Sequence, residues 1–152
     1  VRIVEAVVKA NDLRKRAMGR KVIAALGGEA RGKKVALLGL TFKPNTDDMR
    51  DAPSIDVVQA LLDAGAEVAA YDPEGMKEAA EILPKVQMAS GPYEAATGAH
   101  VLVMMTEWDA FRALDLAKIA GVMAGDALVD LRNVYKPEDV ARAGLTYTSV
   151  GR

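Results

Sequence analysis

Six short apolar runs alternate along the chain with segments of helical periodicity, and this alternation restricts the fold more than any other feature. The runs lie at 35–40, 67–71, 86–88, 100–105, 127–130 and 145–149. Short runs that are apolar at consecutive positions are typical of parallel strands buried on both faces. Parallel strands joined by helices form right-handed βαβ units. The sequence therefore predicts a doubly wound, mostly parallel, Rossmann-like α/β sheet of about six strands.

A long amphipathic helix is predicted ahead of the first strand, and Gly27-Gly28 ends it. The pattern divides the chain into a connecting helix at 1–28 and a globular domain at 29–152. An α/β core is too small to cover the whole apolar stripe, so we expect this helix to pack against a second copy of the chain or a neighbouring domain. The stripe consists of residues at three-, four- and seven-residue intervals: Val1, Val4, Val8, Met18, Val22 and Leu26.

The loop that follows the first strand, Val35–Leu40, is where open α/β sheets bind ligands. A dinucleotide-binding fold has G-x-G-x-x-G at this turn, so that the backbone can approach a pyrophosphate. This chain has Gly39 alone, followed by Phe42 and Lys43. These residue types favour a site that holds phosphate with a side-chain charge and packs a flat group nearby. The next helix is predicted to begin with Ser54 as its N-cap.

Two cations directly follow predicted strands, Lys43 after the first and Arg132 after the fifth. The carboxyl ends of parallel strands lie at one edge of the sheet, so both side chains should line that edge. Arginine with its planar fork and lysine as a point charge together suit a diphosphate. Ordinary exposed cations are the alternative interpretation.

Two more residues of this edge have open interpretations. Asp72 follows the second strand, where a Rossmann unit holds a ribose hydroxyl, but it could equally form a turn or cap the next helix. Trp108 follows the fourth strand and either covers the core or forms a wall of the ligand crevice.

Composition excludes several classes of function. Lys and Arg number 20 against 21 Asp and Glu, so no overall field attracts the chain to nucleic acid or an acidic membrane. The absence of cysteine excludes a disulfide, a thiolate metal site and a cysteine nucleophile within these residues. Asp47, Asp48 and Asp51 lie close together but lack EF-hand spacing and a nearby histidine, so no metal is expected. With no apolar run of membrane-spanning length and no signal-peptide pattern, a cytoplasmic location is expected.

Three ordered motifs carry a family resemblance. The segment GKKVALLGLTFKPNTDDMRDAPS, followed by TEWDAF and DLRNVY, resembles the C-terminal domain of the UDP-glucose and GDP-mannose dehydrogenase family. The opening segment, VRIVEAVVKANDLRKRAMGRKV, is similar to the helix that links the central and C-terminal domains of that family. The resemblance extends over essentially the whole chain.

The resemblance implies part of an enzyme that oxidises a sugar alcohol to a carboxylate in two NAD-dependent steps, through a thiol-bound intermediate. It implies that Phe42, Lys43 and Arg132 contact a UDP-sugar, and that Arg50 reaches the NAD held mainly by the N-terminal domain. The family's catalytic residues lie in the N-terminal and central domains, so this chain should carry none of them. UDP-glucose, UDP-N-acetylmannosamine and GDP-mannose are the candidate substrates. A non-catalytic dimerisation or interaction domain is the alternative function.

Overall fold

The computed structural model describes residues 2–50 and 52–150, and these residues form seven helices and six strands. The helices are α1 (Arg2–Ala25), α2 (Pro53–Asp63), α3 (Met76–Ile82), α4 (Pro92–Ala96), α5 (Asp109–Arg112), α6 (Leu116–Val122) and α7 (Pro137–Arg142). The strands are β1 (Lys34–Leu38), β2 (Glu67–Tyr71), β3 (Gln87–Met88), β4 (Val101–Met104), β5 (Ala127–Asp130) and β6 (Thr146–Ser149).

The six strands form one sheet in the order β3-β2-β1-β4-β5-β6, and every pairing is parallel. The order reverses between β1 and β4, since the chain builds the sheet outward from β1 in one direction and then in the other. Leu38 at the end of β1 pairs with both Tyr71 and Met104, so the three central strands end at the same level. We call this side of the sheet the carboxyl edge. A doubly wound sheet binds its ligand at this edge, beside the point where the strand order reverses.

The core has two layers, one on each face of the sheet. Alternate residues of β1 face opposite layers: Val35 and Leu37 pack with α1, α2 and α3, whereas Ala36 and Leu38 pack with α4 to α7. Both layers are closely filled by buried aliphatic side chains. Helices on both faces confirm the predicted doubly wound fold.

Helix α1 divides into two parts with different environments. Towards its carboxyl end Val22 is fully buried, and Met18 and Leu26 pack against the same core layer. Gly28 N donates to Ile23 O and Gly27 N to Ala24 O, which is a Schellman-type ending of the kind predicted. Towards its amino end, five large apolar side chains are mostly exposed: Ile3, Val4, Val7, Val8 and Leu13. Val1 of the predicted stripe lies outside the described residues.

Within residues 2–50 and 52–150, no helix combines the length and the apolar character needed to cross a bilayer.

Three local predictions were wrong. Helix α2 begins at Pro53 with Ala52 as its N-cap, because Ser54 is buried and its Oγ donates to the carbonyl oxygen of Leu40 at 2.5 Å. Strand β1 ends two residues before Leu40, at the point where Gly39 adopts a φ of 96°. The four-residue helix α5, Asp109–Arg112, was not predicted at all.

Candidate functional site

The carboxylate of Asp72 holds the backbone of the loop that follows β1. Its Oδ2 accepts hydrogen bonds from Leu40 N at 2.7 Å and Thr41 N at 3.2 Å, and its Oδ1 accepts from Glu74 N at 2.9 Å and Gly75 N at 2.7 Å. The residue is fully buried. A buried carboxylate is stable only where such donors surround it. Because both oxygens are bonded to backbone, the structure supports the interpretation of Asp72 as a turn former.

A second contact joins the loops after β1 and β4 across the point where the strand order reverses. Thr106 Oγ1 donates to the carbonyl oxygen of Thr41 at 2.9 Å. The two loops approach so closely at Gly39 that a Cβ built there would lie 2.6 Å from the Cβ of Thr106. Glycine at position 39 therefore allows close packing between two loops, and the backbone here has no phosphate cradle of the G-x-G-x-x-G type.

Phe42 and Lys43 lie on the outside of this fixed loop. Phe42 is 45% exposed, although its ring is apolar, and Lys43 is exposed beside it. The loop closes on itself because Phe42 N donates to Asp48 O at 3.1 Å, and Asn45 takes the left-handed conformation with a φ of 64°. An exposed ring and an ammonium group at the carboxyl edge can pack a flat group and attract a phosphate, as the sequence predicts.

Arg132 is placed by a carboxylate that the sequence analysis did not assign to it. Its Nη2 donates to Glu107 Oε1 at 2.9 Å, and its Nε lies 2.7 Å from Glu107 Oε2. The Nη2 contact is a hydrogen bond, whereas Nε and Oε2 form a close ion pair without hydrogen-bond alignment, since Glu107 Oε2 is buried with no hydrogen-bond partner among the described residues. The side chain of Arg132 is 32% exposed, so it is neither fully solvated nor buried. One of the five N–H groups of the guanidinium donates to Glu107, and the ion pair occupies the side of the guanidinium that carries Nε.

The backbone of the Arg132 loop is held by the buried Asp130. Its Oδ1 accepts from Arg132 N at 3.1 Å, while its Oδ2 accepts from Tyr135 N at 3.0 Å and Tyr147 Oη at 2.7 Å. The hydroxyl of Tyr135 donates to the carbonyl oxygen of Phe111. Burial, followed by the charge of Asp130, raises the pKa of Tyr135, so this tyrosine stays protonated as a donor.

The structure brings Phe42, Lys43 and Arg132 to the same edge of the sheet. They lie in the loops that follow β1 and β5, and β4 lies between these two strands. Neighbouring strands are about 4.8 Å apart, so the two loops start about 10 Å from each other. Long side chains such as lysine and arginine reach across a gap of that size. Trp108 is only 7% exposed and packs in the core, which supports the core interpretation; its indole Nε1 has no hydrogen-bond partner among the described residues.

Arg50 lies in a different part of the loop, beside an open groove of about 780 Å³ between residues 46–50 and helix α3. Its side chain is 89% exposed, and its Nε and Nη2 lie 3.1 Å and 3.2 Å from the two carboxylate oxygens of Asp48. These hydrogen bonds from the side chain of Arg50, with another from its backbone N, hold the pKa of the Asp48 carboxyl below its ordinary value of 3.8. The groove does not include Phe42 or Arg132.

The acidic segment that contains Asp47 and Asp48 lies in the loop between β1 and α2. Across residues 2–50 and 52–150, no three His, Cys, Asp or Glu side chains are placed to hold one ion. Asp51 lies outside these ranges.

The sheet of six parallel strands with helices on both faces defines the class of the protein as a Rossmann-like α/β domain. The model of the "UDP-glucose/GDP-mannose dehydrogenase family, UDP binding domain" matches residues 36–137. The chain therefore belongs to the UDP-glucose/GDP-mannose dehydrogenase family.

Relatives and solved structures agree with this assignment. The chain is 59% identical over 152 residues to a UDP-glucose 6-dehydrogenase of Rhizobium meliloti (strain 1021), with 100% of this chain and 35% of that protein aligned. A UDP-glucose 6-dehydrogenase of Pseudomonas aeruginosa is 39% identical over 156 aligned residues, covering 99% of this chain and 34% of that protein. The chain thus spans about a third of the length of these curated relatives.

The same fold occurs in solved dehydrogenases. A UDP-glucose dehydrogenase from Pyrobaculum islandicum superposes with a TM-score of 0.76 at 32% identity, over 89% of this chain and 30% of that one. An NDP-N-acetyl-D-galactosaminuronic acid dehydrogenase from Methanosarcina mazei Go1 gives a TM-score of 0.77 at 27% identity, over 92% of this chain and 29% of that one.

Proposed function

We propose that the chain is the UDP-sugar-binding domain of an NAD-dependent UDP-glucose 6-dehydrogenase, which converts UDP-glucose to UDP-glucuronate. The observation that carries the proposal is the carboxyl edge itself, where Phe42, Lys43 and the oriented Arg132 follow strands of a family UDP-binding domain. Relatives that match over the whole chain are named UDP-glucose 6-dehydrogenase, which favours UDP-glucose over UDP-N-acetylmannosamine and GDP-mannose.

In this proposal the domain binds the nucleotide and contributes no catalytic residue. Lys43 and Arg132 bind the diphosphate, and the exposed ring of Phe42 packs against a flat part of the ligand. A hydrogen bond to a charged group contributes about 1.5–3 kcal/mol. Such contacts with non-reacting parts of a substrate supply binding energy that holds the sugar at a reaction centre elsewhere in the protein.

Arg50 is the proposed contact with NAD. Its 89% exposed guanidinium is a suitable donor for a phosphate or ribose oxygen, and the open groove beside it leaves room for such a group. NAD, when bound, accepts hydride from the sugar carbon in each of the two oxidations. Arg50 supplies position and charge and takes no other part in the reaction.

The amino-terminal part of α1 is the proposed contact with further protein. The helix at 1–28 would connect the domain at 29–152 to the N-terminal and central domains, and the exposed side chains of Ile3, Val4 and Val7 would pack against a second copy in a homodimer. Burial of apolar side chains stabilises such a helix pair by about 25 cal/mol per Å² of covered surface.

Calorimetric titration of UDP into variants tests the proposed nucleotide site. Lys43→Ala and Arg132→Ala should each weaken UDP binding about tenfold or more, because each removes a charged hydrogen bond to phosphate. Arg132→Lys should also weaken it, because one ammonium group cannot replace a planar fork. The titration is made with the full-length protein, since the other domains form the rest of the site.

Arg142→Ala is the matched control, because Arg142 is an exposed cation on α7 whose guanidinium pairs with the neighbouring Asp139. It should bind UDP like the wild type. Equal UDP affinity of Lys43→Ala, Arg132→Ala and the wild type would contradict the proposed site.

A further inference from the structure

We propose that Glu107 is a positioning residue for phosphate recognition: it holds the guanidinium of Arg132 in the orientation that a diphosphate requires. The inference rests on the proposed function, because it assumes that Arg132 meets phosphate. It adds a carboxylate to a site that the sequence describes by the ring of Phe42 and the two cations Lys43 and Arg132.

The contact geometry carries the inference. Glu107 Oε1 and Oε2 lie 2.9 Å and 2.7 Å from Nη2 and Nε of Arg132, so the carboxylate takes the side of the guanidinium that carries Nε. The other three N–H groups, two on Nη1 and one on Nη2, belong to the opposite end of the fork. That end can still form a two-point contact with phosphate.

Glu107 and Arg132 are brought together by the sheet. Met104 pairs with Asp130 in the β4–β5 register, so residues that follow these two strands meet at the carboxyl edge. Leu131 N extends this pairing by donating to Met104 O at 3.0 Å. The pair therefore joins two loops that start from paired strands, although its residues are 25 positions apart in sequence.

Both ends of Arg132 are then fixed before any ligand arrives. Asp130 accepts from its backbone N at 3.1 Å, and Glu107 accepts from its side chain. A free arginine side chain loses rotamer freedom when it binds, and this loss weakens the complex. Orientation by Glu107 removes much of that loss, which is the benefit of a pre-organised contact.

The charge of Glu107 acts in the opposite direction, since a carboxylate repels phosphate. Both side chains are partly exposed, at 27% for Glu107 and 32% for Arg132, so water and salt screen this repulsion. The contact that orients Arg132 spans only 2.7–2.9 Å, which is shorter than the distance from Glu107 to a phosphate at the opposite end of the guanidinium, so screening weakens the repulsion more than the contact. Removal of the Glu107 charge should therefore cost more UDP affinity through the lost orientation of Arg132 than it gains through the reduced repulsion, at physiological ionic strength.

Competition titrations with UDP and with uridine, made on the full-length protein, test the inference. Glu107→Gln keeps the size of the side chain but loses one acceptor, so it should weaken UDP binding about three- to tenfold. Uridine, which has no phosphate, should bind within about twofold of the wild type, since a local effect on Arg132 does not reach the base. In an Arg132→Ala background, Glu107→Gln should cause no further loss of UDP affinity.

Glu67→Gln is the control, because Glu67 is an exposed glutamate at the amino end of β2, and this end lies at the edge of the sheet opposite the carboxyl edge. It should leave both affinities unchanged. Unchanged or stronger UDP binding by Glu107→Gln, with a clear loss in Arg132→Ala, would overturn the inference and leave the proposed function intact. Equal losses of UDP and uridine, or an added loss in the double variant, would also overturn it. If Arg132→Ala and Lys43→Ala both bind UDP normally, the proposed function fails as well.

Discussion

At the scale of single residues, the carboxyl edge depends on contacts that fix short loops. Asp72, Thr106 and Asp130 are buried polar side chains, and each bonds to the backbone of a loop that carries a residue of the proposed nucleotide site. Burial without these partners would cost each group about 1–3 kcal/mol, so the loops and their anchors stabilise each other. The exposed residues can then face solvent without disordering the edge.

Gly39 lies so close to Thr106 that a larger residue at this position should destabilise the protein. Gly39→Ala should lower the free energy of unfolding by about 2–4 kcal/mol, because the new Cβ would lie 2.6 Å from Thr106 and the φ of 96° is strained for alanine. Gly121→Ala is the control: Gly121 lies in helix α6 with nothing within 4 Å of its added Cβ, and alanine favours helix. Urea unfolding measures both. A Gly39→Ala protein as stable as Gly121→Ala would contradict the close approach of the two loops.

The sequence predicted some of these residues and missed others for a physical reason. Phe42 and Lys43 could be placed because a site after the first strand follows from local pattern alone. Glu107 belongs to the TEWDAF motif, but its bond to Arg132 joins residues 25 apart and depends on the strand register, which the sequence does not give. Asp72 stayed open because its partners Leu40 and Thr41 lie more than 30 positions away.

At the scale of elements, α1 contains two surfaces with different roles. Val22, in its carboxyl-terminal part, is fully buried against the sheet, and Lys21 Nζ donates to Ser149 O at 3.0 Å, which ties the helix to β6. Val8, in its amino-terminal part, is 53% exposed. The carboxyl-terminal part is therefore integral to the domain, and the amino-terminal part is available for a protein contact.

Two valine substitutions in this helix separate the two surfaces. Val22→Ala should lower the free energy of unfolding by about 2 kcal/mol at any protein concentration, since it leaves a cavity in the core. Val8→Ala should change it by less than about 0.5 kcal/mol in dilute protein, because its side chain is exposed there. Urea unfolding at low concentration measures both values.

Sedimentation of the same two variants tests the proposed homodimer. Val8→Ala should weaken self-association, whereas Val22→Ala should leave it unchanged in the folded fraction. A wild-type protein that stays monomeric at high micromolar concentration would contradict the dimer, and equal losses of stability for the two variants would contradict the division of α1.

Most elements were predictable because their periodicity is local. Six strands and the long first helix were found at nearly their observed positions, since buried strands and amphipathic helices repeat over several residues. Helix α5 has only four residues, too few to show a helical period. Ser54 was assigned as an N-cap from its residue type, but the approach of the Leu40 carbonyl, which only the tertiary fold provides, gives its hydroxyl a different partner.

At the scale of the whole molecule, the strand order determines where a ligand can bind. The order reverses between β1 and β4, and doubly wound sheets bind their ligands beside such a reversal. The loops that carry Lys43 and Glu107 follow these two strands, and the loop that carries Arg132 follows the next strand. The central claim is that UDP binds here, at the carboxyl edge of the sheet.

Mapping of amide chemical shifts during a titration with millimolar UDP tests this claim most directly. In the ¹⁵N-labelled protein, the account predicts that the largest shifts occur in the loops at 41–43, 106–108 and 131–133. Amides at the amino ends of the strands, at 65–67 and 98–100, should not move, because the whole sheet separates them from the ligand. Largest shifts at the amino ends, or no shifts in the three carboxyl-edge loops at saturating UDP, would contradict the account.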